Sequence, residues 1–105
     1  VGADAERVAS ADGSGRITAW RANNGDLAWT AEQLLHRDLS GLLVVGRTVI
    51  VGDFEGQVHF LDRTNGKTLL RLPTDGSQVM GAPVVLGNTV LVTTKRGGLF
   101  AFRPE

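Results

Sequence analysis

The chain contains no cysteine among its 105 residues. It therefore has no disulfide framework, no thiolate nucleophile and no zinc-thiolate site. Acidic and basic residues number 11 each, so the formal net charge is zero. Because the two signs are also interspersed, the sequence predicts neither a nucleic-acid-binding surface nor an electrostatic hold on anionic lipid.

Long apolar runs and a basic leader are missing as well. No apolar stretch approaches the roughly 18 residues that indicate a membrane-spanning helix. The first residues also lack the basic segment that begins a secretory signal peptide. We therefore expect neither element within this sequence. A hydrophobic content of 42% predicts a globular chain.

What the chain does contain is a repeat with a period of 41 residues. Three glycines at this spacing open the similar runs GRITAW, GQVHFL and GGLFAF: Gly15, Gly56 and Gly97. An Asn-Gly pair follows in the first two copies, at 24–25 and 65–66. Periods of ~40 to 50 residues with short apolar runs and turn signals are typical of the four-stranded blades of a β-propeller, because one such unit cannot bury its own faces and must stack on neighbours.

The repeat predicts an all-β fold, a partial β-propeller of about two and a half four-stranded antiparallel blades. The blades are expected at approximately 1–31, 39–73 and 80–105, with only the middle one complete. Ten strands are predicted, at 7–11, 16–21, 26–30, 42–45, 48–52, 57–62, 67–72, 83–86, 89–93 and 98–103. A first strand of the first blade would fall at the very start. The last blade has no fourth strand, so we expect its third strand to present an open edge through which the chain self-associates.

A tryptophan follows the turn glycine in the first copy. Ala19 lies in the predicted third strand, Gly25 in the turn, and Trp29 four residues later. This pattern resembles the tryptophan-docking motif of quinoprotein-type propellers, in which an indole from one blade packs on the turn glycine peptide of its neighbour. The middle copy keeps Gly66 but has Leu70 in place of the tryptophan, which predicts weaker or different docking. We assign structural roles to Trp29 and to the repeated glycines Gly15, Gly25, Gly56, Gly66 and Gly97.

Three further segments carry a more specific resemblance. They are EQLLHRDL at 32–39, VGDFEG at 51–56 and RGGLFAF at 96–102. Together they resemble the last two blades of the BamB family, lipoprotein subunits of the β-barrel assembly machinery of the bacterial outer membrane. The resemblance implies an eight-bladed ring at the periplasmic face of that membrane, anchored by an upstream lipidated cysteine absent from this sequence. It also implies a non-enzymatic scaffold that contacts a BamA-like barrel-inserting subunit and unfolded outer-membrane clients.

An enzyme remains the alternative interpretation. Dehydrogenases that use pyrroloquinoline quinone employ the same docking motif and hold the quinone and calcium in the ring centre. Such a site needs acidic side chains that point into the ring centre and bind the calcium ion, together with groups that orient the quinone. The predicted inner strands at 42–45 and 83–86 offer only apolar residues and proline. We therefore expect no cofactor, and the scaffold is the favoured function.

One set of loops is predicted to share a face of the ring, because the connections after the second and fourth strands of a blade emerge on the same side. The residues expected there are Leu34, Leu35, His36, Arg37, Asp53, Phe54 and Glu55. A loop surface with leucines, a phenylalanine and both charge signs suits protein binding. The alternative is that Leu34 and Leu35 pack beneath the loop while Arg37 pairs with Asp53 or Glu55. Both interpretations are open from the sequence.

Catalytic and metal-binding patterns are not evident. His36 and His59 are separate, without a second histidine or a carboxylate at ligand spacing. The turns at 12–15 and 53–56 lack the alternating oxygen ligands of a calcium loop, and no serine lies in a nucleophile motif. We therefore assign no catalytic, cofactor-binding or metal-binding residue and do not expect an enzyme.

Overall fold

The computed structural model describes residues 2–3, 7–21, 23–45 and 47–103, which contain eleven β-strands. The strands are β1 (Gly2–Ala3), β2 (Arg7–Ala11), β3 (Ile17–Arg21), β4 (Leu27–Ala31), β5 (Leu43–Val45), β6 (Thr48–Gly52), β7 (Gln57–Asp62), β8 (Thr68–Pro73), β9 (Val84–Leu86), β10 (Thr89–Thr93) and β11 (Leu99–Phe102). Strands β1 to β4 form the first sheet, β5 to β8 the second and β9 to β11 the third, each with sequence neighbours side by side. Within this described part, no helix has the length and apolarity that a membrane crossing takes.

The centre of the second sheet is formed by β6 and β7, whose sequences TVIVG and QVHFLD favour a half-buried pleated surface. Their antiparallel register pairs Ile50 with Phe60 and Val51 with His59. Successive side chains of a strand point to opposite faces. Accordingly, Val49 and Val51 pack toward the first sheet, whereas Ile50 packs toward the third. This alternation allows one sheet to contribute to two separate cores.

Two apolar clusters join the three sheets face to face. The first cluster joins the first two sheets and contains Ala9, Ile17, Ala19, Trp29, Ala31, Leu34, Leu42, Val49, Val51 and Leu61. The second joins the second and third sheets and contains Ile50, Val58, Phe60, Val79, Val90 and Val92. At its margin the rings of Phe60 and Phe102 meet edge to face with centroids 6.0 Å apart. Stacked antiparallel sheets of this kind are the arrangement expected of consecutive propeller blades.

The predicted strands agree closely with those of the structure. Four are confirmed to the residue, at 7–11, 48–52, 57–62 and 89–93. The others differ by one residue at one or both ends. The eleventh strand, β1, lies at the very start, where the first strand of the first blade was expected, and it pairs with β2 over only two residues. The strands of the three sheets span residues 2–31, 43–73 and 84–102.

Trp29 connects the first sheet to the second. Its indole Nε1 donates a hydrogen bond of 2.6 Å to the carbonyl oxygen of Arg63, and the side chain is only 8% exposed. The ring packs on Gly66, where an added Cβ would overlap the indole. Gln33 from the same side donates to the Gly66 carbonyl oxygen at 2.8 Å. The indole therefore docks on the turn of the neighbouring sheet, as the motif predicts, and its glycine partner is Gly66.

Gly25 occupies the corresponding turn of the first sheet without such a contact. Both glycines have a positive φ, 74° for Gly25 and 77° for Gly66. This left-handed conformation is unfavourable for residues that have a Cβ. Around Gly25, however, a Cβ would meet nothing within 4 Å. The two turns thus share their backbone geometry and differ in the presence of the indole.

This difference predicts unequal effects of alanine at the two glycines. Gly25→Ala should destabilise by about 1 to 2 kcal/mol, the cost of a left-handed conformation for a residue with a Cβ. Gly66→Ala should cost about 1 to 3 kcal/mol more, because the methyl group must also displace a packed indole. Denaturant unfolding of the two variants measures both values.

A double-mutant cycle separates the contact from the backbone strain. Trp29→Ala alone should cost about 3 to 5 kcal/mol, as expected for a large buried aromatic side chain. In that background the extra cost of Gly66→Ala should disappear, so that the two glycine substitutions become equivalent. Equal costs in the presence of Trp29 would contradict the docking role.

Candidate functional site

The turn between β6 and β7 is organised by Asp53. Its Oδ1 accepts hydrogen bonds from the backbone N–H groups of Glu55 and Gln57, both at 2.9 Å. Gly56 completes the turn with a φ of 81°. A methyl group on Gly56 would come within 2.7 Å of the Thr74 hydroxyl oxygen, so the glycine also permits close approach of the next loop. Asp53 and Gly56 therefore fix the path of the chain between the two central strands.

The other carboxylate oxygen of Asp53 binds two side chains from different parts of the fold. His59 Nε2, on β7, lies 2.8 Å from Oδ2, and Arg37 Nη1, on the loop after β4, lies 3.2 Å from it. Neither Asp53 nor His59 has more than 1% exposure. A buried carboxylate is tolerated when it is paired and fully hydrogen-bonded. This cluster meets that requirement and ties the two sheets together.

The histidine of this cluster is held in its neutral form. Burial lowers the pKa of His59 below its ordinary value of 6.5, while the hydrogen bond to Asp53 opposes the shift in part. The nearby charges of Arg37 and Arg71 lower it further. A neutral imidazole that faces a carboxylate donates a hydrogen bond to it through its ring N–H. His59 Nε2 is accordingly the donor to Asp53 near neutral pH.

The loop at residues 32–40 lies against both the first and the second sheet. His36 N donates to Ser14 O at 2.7 Å, and Phe54 N donates to Arg37 O at 3.0 Å. Ser40 binds Gly52 twice: its N donates to the Gly52 carbonyl oxygen at 2.8 Å, and its hydroxyl accepts from Gly52 N at 2.9 Å. These bonds hold the loop in one position across the junction of the sheets.

Gly15 is needed for this loop to approach. Gly15 has a φ of 97°, and a Cβ there would overlap the carbonyl oxygen of Leu34. In the third copy, Gly97 has a φ of 87° but a Cβ would meet nothing within 4 Å. The repeated glycines therefore share a turn conformation, and only some of them also permit close packing.

The next loop, at residues 74–81, joins the second and third sheets in the same region. Val79 N donates to Asp53 O at 3.0 Å, and Thr94 Oγ1 donates to Asp75 Oδ2 at 2.8 Å. Ser77 donates both its hydroxyl and its N–H to Asp75 Oδ1, and these bonds lower the pKa of the Asp75 carboxyl. The loops at 32–40, 53–56 and 74–81 thus form one continuous face, which we call the loop face.

The structure gives the seven predicted binding residues different degrees of exposure. Leu34 and Asp53 are buried, and Arg37 is engaged with Asp53, so these three support the loop face from beneath. Leu35 is half-buried. The exposed side chains are those of His36, Phe54 and Glu55.

Sequence reasoning missed the role of His59, which it treated as a lone histidine, and it did not find the cluster around Asp75. The signal for His59 was present, because Asp53 begins the connection into β7 and His59 is the third residue of that strand. Within the described residues, no group of three or more histidine, cysteine, aspartate or glutamate side chains has the arrangement of a metal site. The carboxylates of the loop face bind protein donors.

Three stacked antiparallel sheets, joined by an indole on a turn glycine, define the chain as part of a β-propeller. Comparison with known proteins identifies the family within the β-propeller class. The family model described as "Outer membrane protein assembly factor BamB" matches residues 1–105. The chain therefore belongs to this family.

Similar chains with that description occur among the curated proteins. The protein of Burkholderia pseudomallei is 38% identical over 105 residues, which is all of this chain and 28% of the relative. That of Kangiella koreensis is 39% identical over 94 residues, 90% of this chain and 24% of the relative. This chain thus spans roughly a quarter of the length of these relatives.

Solved structures show the same fold. BamB from Moraxella catarrhalis has a TM-score of 0.87 and 24% sequence identity, over 97% of this chain and 30% of that one. The quinohemoprotein alcohol dehydrogenase from Comamonas testosteroni has a TM-score of 0.75 and 20% identity, over 94% of this chain and 18% of that one. Both likenesses establish the blade architecture.

The two aspartates at equivalent positions of the repeat allow a test of the buried cluster. Asp53→Asn keeps an oxygen for the turn amides but leaves Arg37 and His59 without a carboxylate, so it should cost about 3 kcal/mol. Asp12 makes the same turn bonds to Ser14 N and Arg16 N, yet its side chain is half-exposed.

Asp12→Asn should therefore change the stability little, because exposed ion pairs contribute little. Thermal or denaturant unfolding of the two variants makes the comparison. Equal losses would show that Asp53 matters only as a turn residue.

Proposed function

We propose that this chain is part of a non-enzymatic scaffold subunit that assists the assembly of β-barrel proteins in the bacterial outer membrane. The observation that carries the proposal is the match of the entire chain to the outer membrane protein assembly factor BamB family. Curated relatives with that description retain 38% and 39% identity over 90% or more of the chain. By this proposal the whole protein acts at the periplasmic face of the outer membrane, held by a lipid on a segment upstream of the sequence.

The alternative, a quinone-dependent dehydrogenase, has weaker support. Its representative among the solved structures shares 20% identity with this chain, and that likeness extends to the fold alone. A fold common to scaffolds and enzymes does not by itself assign a function. The family match therefore favours the scaffold.

The loop face is the part of this chain that we assign to protein contacts. Its exposed side chains combine an aromatic ring, Phe54 at 45% exposure, with a carboxylate, Glu55, and an imidazole, His36. Aromatic residues are enriched in interfaces, and loops held by a rigid scaffold often carry binding residues. The hydrogen bonds beneath the surface hold it in one conformation, so binding would require little ordering. We propose a BamA-like barrel-inserting subunit as the partner, or an unfolded outer-membrane client.

Site-specific crosslinking in the full-length protein tests this assignment. A photoreactive residue in place of Phe54 should form an adduct with a component of the assembly machinery, identified by mass spectrometry. Leu27 is the matched control, because it is also exposed but lies at the opposite end of β4 from the loop face. Adducts at position 27 but not at position 54 would contradict the assignment.

We also propose that the chain self-associates when it is studied by itself. In the described residues the third sheet has three strands, and β11 pairs only with β10. Leu99 on β11 is 65% exposed, and a groove of about 550 Å³ lined by Phe60, Leu70 and Phe102 lies beside this strand. A strand with unpaired N–H and C=O groups and apolar side chains is a template for another strand.

Light scattering at micromolar concentration should give a mass above the 11.2 kDa of one chain. Leu99→Lys should shift the mass toward that value, because a charge on an edge strand opposes pairing. A monomer at every concentration would show that β11 does not pair with a strand of another chain.

A further inference from the structure

One oxygen atom, Asp53 Oδ2, accepts from two donors that belong to different structural units. His59 reaches it from inside the second sheet, and Arg37 reaches it from the loop that leaves the first sheet. The surroundings of the two donors differ. The His59 side chain is 1% exposed, whereas that of Arg37 is 30% exposed. Arg37 alone can move into water without opening the sheet.

Charge balance makes this cluster sensitive to protons. With His59 neutral, the Asp53 carboxylate and the Arg37 guanidinium cancel. A proton on His59 leaves two cations on one carboxylate oxygen, and Arg71, paired across from His59 on β8, adds a third positive group nearby. An uncompensated charge in the interior is costly. The cost is relieved most easily if Arg37 turns toward water and toward Glu55, whose Oε1 already lies 4.0 Å from its Nη1.

We propose that Asp53, His59 and Arg37 form a proton-operated latch, in which protonation of His59 displaces Arg37 from Asp53 and loosens residues 32–40 from the second sheet. The hydrogen bond from Phe54 N to Arg37 O is the first contact to weaken, because Arg37 belongs to the latch and Phe54 directly follows Asp53. The latch therefore controls how rigidly the exposed part of the loop face is held.

The direction of the pH effect follows from the sign of the pKa shift. Burial lowers the pKa of His59 in the closed state, with Arg37 and Arg71 acting in the same direction and Asp53 opposing them. An open state, in which Arg37 has left Asp53, lacks the lowering effect of Arg37 and keeps the hydrogen bond to Asp53, so the pKa of His59 is higher there and more protons are bound. The closed latch is thus favoured while His59 is neutral and loses stability as the pH falls through the lowered pKa of the closed state.

The repeat shows that the latch is specific to the second sheet. The residues 41 positions before and after His59 are Thr18 and Phe100, and neither titrates. At the position of Asp53 the third sheet has Thr94, whose hydroxyl donates to Asp75. Among the described residues, the three repeats therefore share the turn but not the histidine.

Amide hydrogen exchange followed by NMR tests the latch in the full-length protein. Between about pH 7.5 and about pH 5, after correction for intrinsic exchange, the amides of Ser40 and Phe54, which bond across to the second sheet and to residue 37, should lose about tenfold protection relative to those of β6. His59→Gln, which keeps a donor but does not titrate, should abolish this loss.

The matched control is His36→Gln. The chain has two histidines, and His36 lies in the loop itself, so its replacement should leave the effect intact. An unchanged pH response in His59→Gln, or equal loss of protection in β6, would overturn the proposal.

Arg37→Gln provides an independent test should His59→Gln fail to fold. With the guanidinium removed, the amides of Ser40 and Phe54 should exchange faster already near neutral pH, and acidification should add little. The imidazole of His59 should also titrate at a higher pH, because a neighbouring positive charge is gone. Unaltered exchange and an unaltered titration of His59 in this variant would contradict the latch.

Discussion

The stacking of each sheet on the next is the interaction on which the rest of this structure depends. The central sheet buries both of its faces, one under the first cluster and one under the second, and β6 has no exposed residue. A single sheet of four short strands has no other way to remove these side chains from water. Hydrophobic burial has no preferred direction, but Trp29 adds a directional contact, because its N–H group donates a hydrogen bond to the carbonyl oxygen of Arg63 in the turn of the next sheet. This bond, together with the absence of a side chain at Gly66, fixes the position of the first sheet on the second.

The loop face is a consequence of the same stacking. Sheets that pack face to face bring the connections at one end of their strands into contact, and the hydrogen bonds His36–Ser14, Phe54–Arg37 and Val79–Asp53 join loops of neighbouring sheets. A surface made of loops would ordinarily be mobile. Here it is braced by a buried carboxylate that links the first two sheets. The face therefore combines the exposed side chains of loops with the positional precision of the sheets.

The sequence allowed most of the fold to be predicted, since the 41-residue period located the turns and the alternation within each copy located the strands. For β1 it gave only a place at the very start and no bounds, because two residues are too few for a pattern. For the loop face it predicted that the connections at 34–37 and 53–55 share one side of the sheets, and it left two interpretations for their side chains. The structure buries some of these side chains and exposes others, and burial depends on neighbouring sheets, which no local sequence pattern contains. Leu34 and Asp53 resemble surface loop residues in the sequence, yet both are buried: Leu34 packs in the cluster shared by the first two sheets, and Asp53 binds Arg37 of the preceding loop.

The repeat and the departures from it carry different information. Asp12 and Asp53 occupy equivalent turns and accept equivalent amide bonds, so the shared chemistry of this position is structural. Their remaining oxygens differ. That of Asp12 lies at the surface, 3.9 Å from Arg16, whereas that of Asp53 is buried between an arginine and a histidine. Since both turns fold alike, the turn does not require His59 or Arg37. Residues that the repeat does not require, held in the interior where a charge is costly, are the ones through which this part of the ring can respond to its surroundings.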